Sequence, residues 1–363
     1  MKRILIVVGT RPNFIKVTQF RKVAEDFPEL NIKIAHTGQH FDKNMAEVFF
    51  SQFKLEPDYF LDIEPSTPVH QMGEIMIKLE DLIENTFFPD LIITPGDVNS
   101  TLAVAIVANK KGIKLAHLES GLRSRDRNMP EEINRILTDE ISDYYFVTEK
   151  SGKTNLEDEY KPGKVFMVGN TMIDTLVAFE EEIDKADIIR EQGIVNDFVL
   201  MTIHRPSNVD SKEGLEKLID LLERLSQSLQ IVFPIHPRTK NNIDKFKLTQ
   251  KFSAIPNVIL TEALGYFEFQ HLIKKCKFVV TDSGGIQEET TFRQVPCLTL
   301  RDSTERPITT DIGSNTLTTF DVDKIMKMVR KIKKGTYKKG EIPPLWDGKA
   351  TRRILEHIND LNL

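Results

Sequence analysis

The chain has 363 residues, 40% of them hydrophobic and 28% charged, and a net charge of -5. That length exceeds what one hydrophobic core ordinarily organises, so two domains are expected, in a composition that is globular and free of low-complexity tracts and solenoid repeats. The acidic balance gives no electrostatic case for nucleic acid as a partner, because a duplex binder needs a concentrated basic surface to displace counterions, and the one basic run, RKIKKGTYKK (330–339), reads as a solvated helix end.

The opening run MKRILIVV is broken at Gly9 and Thr10, too soon for a signal peptide. No run approaches the roughly 18 apolar residues of a membrane span. Cys276 and Cys297 stand in apolar surroundings outside any CxxC spacing, which points to buried thiols in a reducing compartment rather than a disulfide or zinc site. A cytoplasmic protein with no membrane partner is expected.

Short β-branched runs then recur, each followed by a helix-length amphipathic segment: ILIVV, IKIAH, LIITP, IKLAH, YYFV and VFMVG. The alternation predicts parallel strands joined by crossover helices. A long helical stretch opened by Thr171 (TMIDTLVAFEEEIDKADIIREQG) follows Gly169, and the alternation restarts with FVLMTIH, IVFPIH, VILTE, KFVVTDS and CLTL. The expected fold is α/β, with two Rossmann-like parallel-sheet domains facing a cleft: residues 1–170 and 171–363, the last helix being free to pack back on the first domain.

Ligands of open parallel sheets sit outside the carboxyl ends of the strands. Five of the eight histidines fall at or near such ends: His36, His40, His117, His204 and His236. One would suggest only a polar residue leaving the core; five spread over both halves favour a shared cleft. After the first strand, Arg11 and Lys16 could clamp a diphosphate or simply be a solvated helix start. Asp97 ends a later strand, as a site carboxylate or an N-cap. Glu119 leaves the strand IKLAH, and Pro130 opens a helix with Glu131 and Glu132 in its first turn, Arg135 one turn on, and Ile133, Ile136, Leu137 and Ile141 as its buried face. Carboxylates converging beside an anion site suit proton transfer next to a phosphorylated leaving group. Arg125, Asp126 and Arg127 read as loop charges. In TDSGGIQEE, Gly284 and Gly285 let backbone amides approach an anion at a helix N-terminus, with Glu288 and Glu289 expected on the first turn, where a carboxylate could meet a ribose diol; a plain strand-to-helix turn is the competing reading. Neither GxGxxG nor GKS/T is present, which disfavours dinucleotide binding and P-loop hydrolysis.

The strings GTRP-x-x-IK, HTGQH, GD-x-x-STLA, H-x-ESGLRS, PEEINRILTD, GNTMIDTL, HPRT, TDSGGIQEE and RD-x-TERP, in that order along nearly the whole chain, resemble the non-hydrolysing UDP-N-acetylglucosamine 2-epimerases, a family of glycosyltransferase B architecture. The resemblance implies elimination of UDP across C1 and C2 of the sugar to a glycal, then re-addition with a proton delivered to the opposite face of C2. It implies Asp97, Glu119 and Glu131 as acid/base carboxylates and His204 near the leaving diphosphate. It further implies Arg11, Lys16, Arg135 and His236 at the nucleotide diphosphate, Ser283, Gly284 and Gly285 around phosphate oxygens, Glu289 on the ribose and Arg306 lining the sugar pocket. No metal and no redox cofactor is implied. A UDP-sugar substrate and a homodimer are, and surface polysaccharide synthesis is the expected pathway.

Two stretches depart from the pattern. Arg205, Pro206, Ser207 and Asn208 stand where many members have Arg-Arg-Glu-Asn, and Asn13 and Phe14 follow GTRP in place of Glu and a small residue, which argues against activation by substrate bound near Gln39-His40 and His204-Arg205. HTGQHFDKNMAEVFF resembles a branch acting on UDP-2,3-diacetamido-glucuronate. The rival readings are that substrate, a UDP-sugar glycosyltransferase, a hydrolysing epimerase and a nucleotide-sugar sensor.

Overall fold

The computed structural model describes residues 1–38 and 50–363. Gln39 and His40, together with the segment through Phe49 that carries the branch-specific resemblance, lie outside the described residues. The chain divides into two compact units, Met1–Ala178 with Pro344–Leu363, and Phe179–Pro343.

Among the described residues the first unit has a seven-stranded parallel sheet: β1 (Lys2–Val8), β2 (Leu30–His36), β3 (Tyr59–Phe60), β4 (Leu91–Pro95), β5 (Lys114–Leu118), β6 (Tyr144–Val147) and β7 (Lys164–Met167), in the order β3-β2-β1-β4-β5-β6-β7. The central strands carry near-continuous apolar runs because helices cover both faces; Ile4 through Val8 and Leu91 through Ile93 are buried. The strand order reverses between β1 and β4, and the crevice beyond their carboxyl ends is the standard ligand position of such sheets.

The second unit repeats the plan with six described strands: β8 (Phe198–Thr202), β9 (Gln230–Pro234), β10 (Val258–Thr261), β11 (Phe278–Thr281), β12 (Cys297–Thr299) and β13 (Asn315–Leu317), ordered β10-β9-β8-β11-β12-β13 and parallel. Its reversal falls between β8 and β11. Cys276 and Cys297 are buried free thiols. β3 and β13, two and three residues long, have too little period to be seen in sequence.

The single helix expected after Gly169 is broken into Thr171–Ala178, Glu180–Lys185 and Ile188–Glu191. Phe179 and Ala186–Asp187 interrupt it, and the first unit extends through Ala178, past the division expected at 170. The first unit also takes back the helix Ala350–Asp360. Asp174 accepts hydrogen bonds from the amides of Ala350 (3.0 Å) and Thr351 (2.6 Å), so a carboxylate on another helix satisfies amides that would otherwise be orphans. Trp346, 1% exposed, donates from Nε1 to the Thr148 carbonyl at 3.1 Å. Trp346→Phe, which deletes that donor and leaves a void, is expected to cost about 1–3 kcal/mol, measured as a fall in the thermal midpoint.

No helix among the described residues is long and apolar enough to cross a membrane.

Candidate functional site

In the first unit the turn after β1 is closed by Asn13, a buried residue that accepts from the Thr10 hydroxyl (2.8 Å) and donates to the Pro95 carbonyl at the end of β4 (3.1 Å). One of the two departures from the family pattern thus ties β1 to β4 across the switch point. Arg11 is exposed at the start of the short helix Arg11–Ile15. Lys16 is buried, and its ammonium meets the carboxylate of Glu119, itself 2% exposed. A group expected at a diphosphate therefore lies on a proposed acid/base carboxylate.

Glu119 itself has φ +71°, an uncommon conformation for a side chain with a Cβ, at the exit of β5. Gly96, at φ +74°, makes room for it: a Cβ there would lie 2.8 Å from Asn13 Nδ2 and 3.1 Å from Lys16 Nζ. Gly96→Ala is therefore expected to impose about 1–2 kcal/mol of backbone strain and to reduce turnover roughly tenfold or more by displacing the Lys16–Glu119 pair. Steady-state kinetics beside a melting curve separates the two effects.

Asp97 does not cap the following helix Asn99–Lys111, whose N-cap position is Val98. Its carboxylate instead accepts from Arg135 Nη1 at 2.5 Å, and its carbonyl from Asn134 Nδ2 at 2.9 Å. Arg135 is buried and also pairs with Glu132, its Nη2 2.7 Å from Oε2. Glu132 in turn accepts from the amides of Ser124 and Arg125, both at 2.9 Å. Burial pushes the Glu132 carboxyl up, but these amides and Arg135 outweigh it and hold the group below the usual carboxylate range. Glu131 is exposed, as are Arg125, Asp126 and Arg127.

The helix Pro130–Glu140 departs from its expected packing. Its buried residues are Glu132, Asn134, Arg135, Thr138 and Asp139, whereas Leu137 is 45% exposed and Ile133, Ile136 and Ile141 only half-buried. A polar face can turn inward here because each charge on it has a partner. Asp139 has two: His117 Nδ1 at 2.6 Å and Arg123 Nη1 at 2.7 Å. Burial alone would raise its carboxyl; the charges and hydrogen bonds of His117 and Arg123 keep it below the ordinary range.

His36 is a core histidine. Its ring stacks on Phe60 with centroids 5.1 Å apart, its Nδ1 accepts from the Gly38 amide, and burial pushes it down to about 3.

In the second unit the strongest organiser is Asp282, which stands in the string TDSGGIQEE but to which the sequence assigns no role. At the exit of β11 and fully buried, it accepts from the amides of His204 (3.0 Å) and Arg205 (2.8 Å) and from Asn208 Nδ2 (3.0 Å), with His204 Nδ1 3.1 Å away. Burial raises it, but His204 and these donors prevail and leave it below the usual range. An aspartate facing three donors at a switch point is thus the anchor of the loop after β8. The His204 ring lies 5.3 Å from that of His236, centre to centre. His236 caps the helix Pro237–Lys245 by accepting at Nδ1 from the Arg238 amide, and burial with the nearby charges of His204 and Arg238 holds its imidazole below the ordinary value.

Ser283 is the N-cap of the helix Gly284–Phe292, so the amides of Gly284 and Gly285 form its first turn. Glu288 and Glu289 consequently sit in the second turn, not the first, and both are buried. Glu288 pairs with Arg306 Nε at 2.7 Å, and Arg306 Nη1 pairs with Glu305 Oε1 at 2.5 Å. A Cβ on Gly284 would fall 2.9 Å from Arg306 Nη1, so the guanidinium lies directly beside the glycine turn.

The chain matches the family model described as UDP-N-acetylglucosamine 2-epimerase over residues 22–359. It is 39% identical over 363 residues, 97% of this chain and 98% of the relative, to the UDP-N-acetylglucosamine 2-epimerase of Methanocaldococcus jannaschii. It is 36% identical over 365 residues, 99% of this chain and 100% of the relative, to the UDP-2,3-diacetamido-2,3-dideoxy-D-glucuronate 2-epimerase of Pseudomonas aeruginosa. Among solved structures it resembles the Methanocaldococcus jannaschii enzyme in complex with UDP-GlcNAc and UDP, with a TM-score of 0.89 at 38% identity, covering 98% of this chain and 99% of that one. The Neisseria meningitidis enzyme bound to UDP-GlcNAc gives 0.88 at 29%, with the same coverages.

Proposed function

The chain belongs to the UDP-N-acetylglucosamine 2-epimerase family, and from that premise we propose that it interconverts UDP-N-acetylglucosamine and UDP-N-acetylmannosamine without net hydrolysis. A carboxylate takes the C2 proton, the C2–H electron pair becomes the C1=C2 bond of a glycal, and the C1–O bond breaks with its electrons leaving on the β-phosphate of UDP. UDP then returns to C1 while a second acid protonates the opposite face of C2. Asp97, Glu119 and Glu131 are the acid/base groups in this reading. The observation that carries it is the buried Glu119 carboxylate on Lys16 at the switch point of the first sheet.

The second unit handles the leaving group in this reading: Ser283, Gly284 and Gly285 receive phosphate oxygens at the helix start, His204 and His236 serve the diphosphate, Glu289 takes the ribose hydroxyls, and Arg306 lines the sugar pocket. In the first unit, Arg11 is the cation assigned to the diphosphate. Lys16 and Arg135, each on a carboxylate in this structure, set the charge and direction of Glu119 and Asp97. The reading extends to a cytoplasmic homodimer that supplies N-acetylmannosamine units for surface polysaccharide, on the strength of the family motifs.

Proton NMR of the protein with UDP-N-acetylglucosamine in deuterated water tests it. Deuterium entering C2 while UDP-N-acetylmannosamine grows to a constant ratio is the expected result. Free N-acetylmannosamine with stoichiometric UDP would mean hydrolysis instead. The 36% identity to the Pseudomonas aeruginosa protein favours UDP-2,3-diacetamido-glucuronate as the second substrate to try.

A further inference from the structure

His117 and Asp139 are both 0% exposed. Each ring nitrogen of His117 faces an oxygen: Nε2 lies 2.7 Å from the Gly96 carbonyl and Nδ1 lies 2.6 Å from Asp139 Oδ1. A carbonyl oxygen can only accept, so Nε2 carries a proton. The other oxygen of Asp139 accepts from the Gly121 amide at 3.1 Å and from Arg123 Nη1 at 2.7 Å, surroundings that suit an ionised carboxylate, so Nδ1 carries one as well. Arg123 is balanced in turn by Glu159 through two hydrogen bonds of 2.9 and 2.7 Å, and the four charges sum to zero.

We propose that His117 is an imidazolium ion-paired with Asp139, and that this pair is the positioning device for the acid/base carboxylates, a role that rests on the epimerase reading. The geometry assigns it because the pair touches each segment that carries one of them. Gly96 precedes Asp97. His117 and Gly121 bracket Glu119 from either side. Asp139 lies on the helix that presents Glu131 and Arg135. One buried cation therefore holds the exits of β4 and β5 and the helix Pro130–Glu140 together, without reaching the substrate.

The ring protons are counted directly in ¹H–¹⁵N spectra of protein labelled with ¹⁵N-histidine, His117 being assigned by its absence from His117→Gln. Two ring N–H correlations at neutral pH are expected; a single one overturns the proposal. In kinetics, His117→Gln, with one amide for two acceptors, should lower kcat for C2 proton exchange roughly 100-fold while KM stays within about threefold. Tyr145→Phe, which removes only a hydroxyl donated to the Asp139 carbonyl at 2.7 Å, should keep kcat within about twofold. A loss carried wholly by KM, or an equal fall in kcat in Tyr145→Phe, overturns the positioning role. If wild type turns over no UDP-sugar, the epimerase reading fails, while the N–H count still decides the state of His117.

Discussion

Glu119→Gln is expected to slow C2 proton exchange by about 10²- to 10⁴-fold, the range that a positioned acid or base supplies, while UDP binds within about threefold of wild type. The amide can neither take nor deliver the proton. The proposed phosphate-binding turn around Gly284 belongs to the other unit, so nucleotide affinity has no reason to follow. The change has a second effect, because it leaves the buried Lys16 ammonium without its carboxylate. Breaking one side of a buried ion pair costs about 3–5 kcal/mol, so the variant should also melt earlier. Combining it with Lys16→Met removes both charges and should recover much of that stability without restoring exchange. Exchange at the wild-type rate in Glu119→Gln would remove Glu119 from the mechanism.

Asp282→Ala should destabilise the second unit by about 3–6 kcal/mol, since two backbone amides and the Asn208 side chain lose their acceptor in the interior. The loop after β8 would lose its anchor, and with it the placement of His204, so UDP affinity should fall as well. The carboxyl is depressed in the folded protein. Its contribution is therefore fully present above the unfolded value, near about 3.9, and is lost as the pH falls through the lower folded value. Chemical denaturation across pH should show a constant gap between wild type and variant from about pH 7 to 5, narrowing below about 4. A gap that widened on acidification would contradict the depressed state.

Much of the fold is legible in the order of the amino acids alone. The runs ILIVV, LIITP and FVLMT are apolar at nearly every position because both faces of each sheet are covered, and composition alone carries that signal. The turn at Ser283 to Gly285 is legible for the same kind of local reason. Choices made by tertiary packing are not. Leu137 reads as core by helical spacing, yet Arg135 and Asp139 point inward because Asp97, Glu132, His117 and Arg123 wait there to neutralise them. Periodicity cannot show a partner contributed from elsewhere in the chain. By position Asp282 is one more polar residue ahead of a glycine turn; its weight comes from amides nearly eighty residues earlier in the chain. Lys16 reads as a phosphate ligand because a cation after the first strand suggests an anion; its contact with Glu119, 103 residues along the chain, has no signal in the sequence.

The return of Pro344–Leu363 to the first unit bears on how the molecule is made. During synthesis, domains ordinarily fold in the order in which they leave the ribosome. Here Phe179–Pro343 is one uninterrupted stretch that can complete its own core, whereas Thr148 and Asp174 wait for Trp346 and Ala350 before their partners exist. The half translated first is thus the half finished last, and a ribosome that stalls after Pro343 releases a mature second unit attached to an incomplete first one.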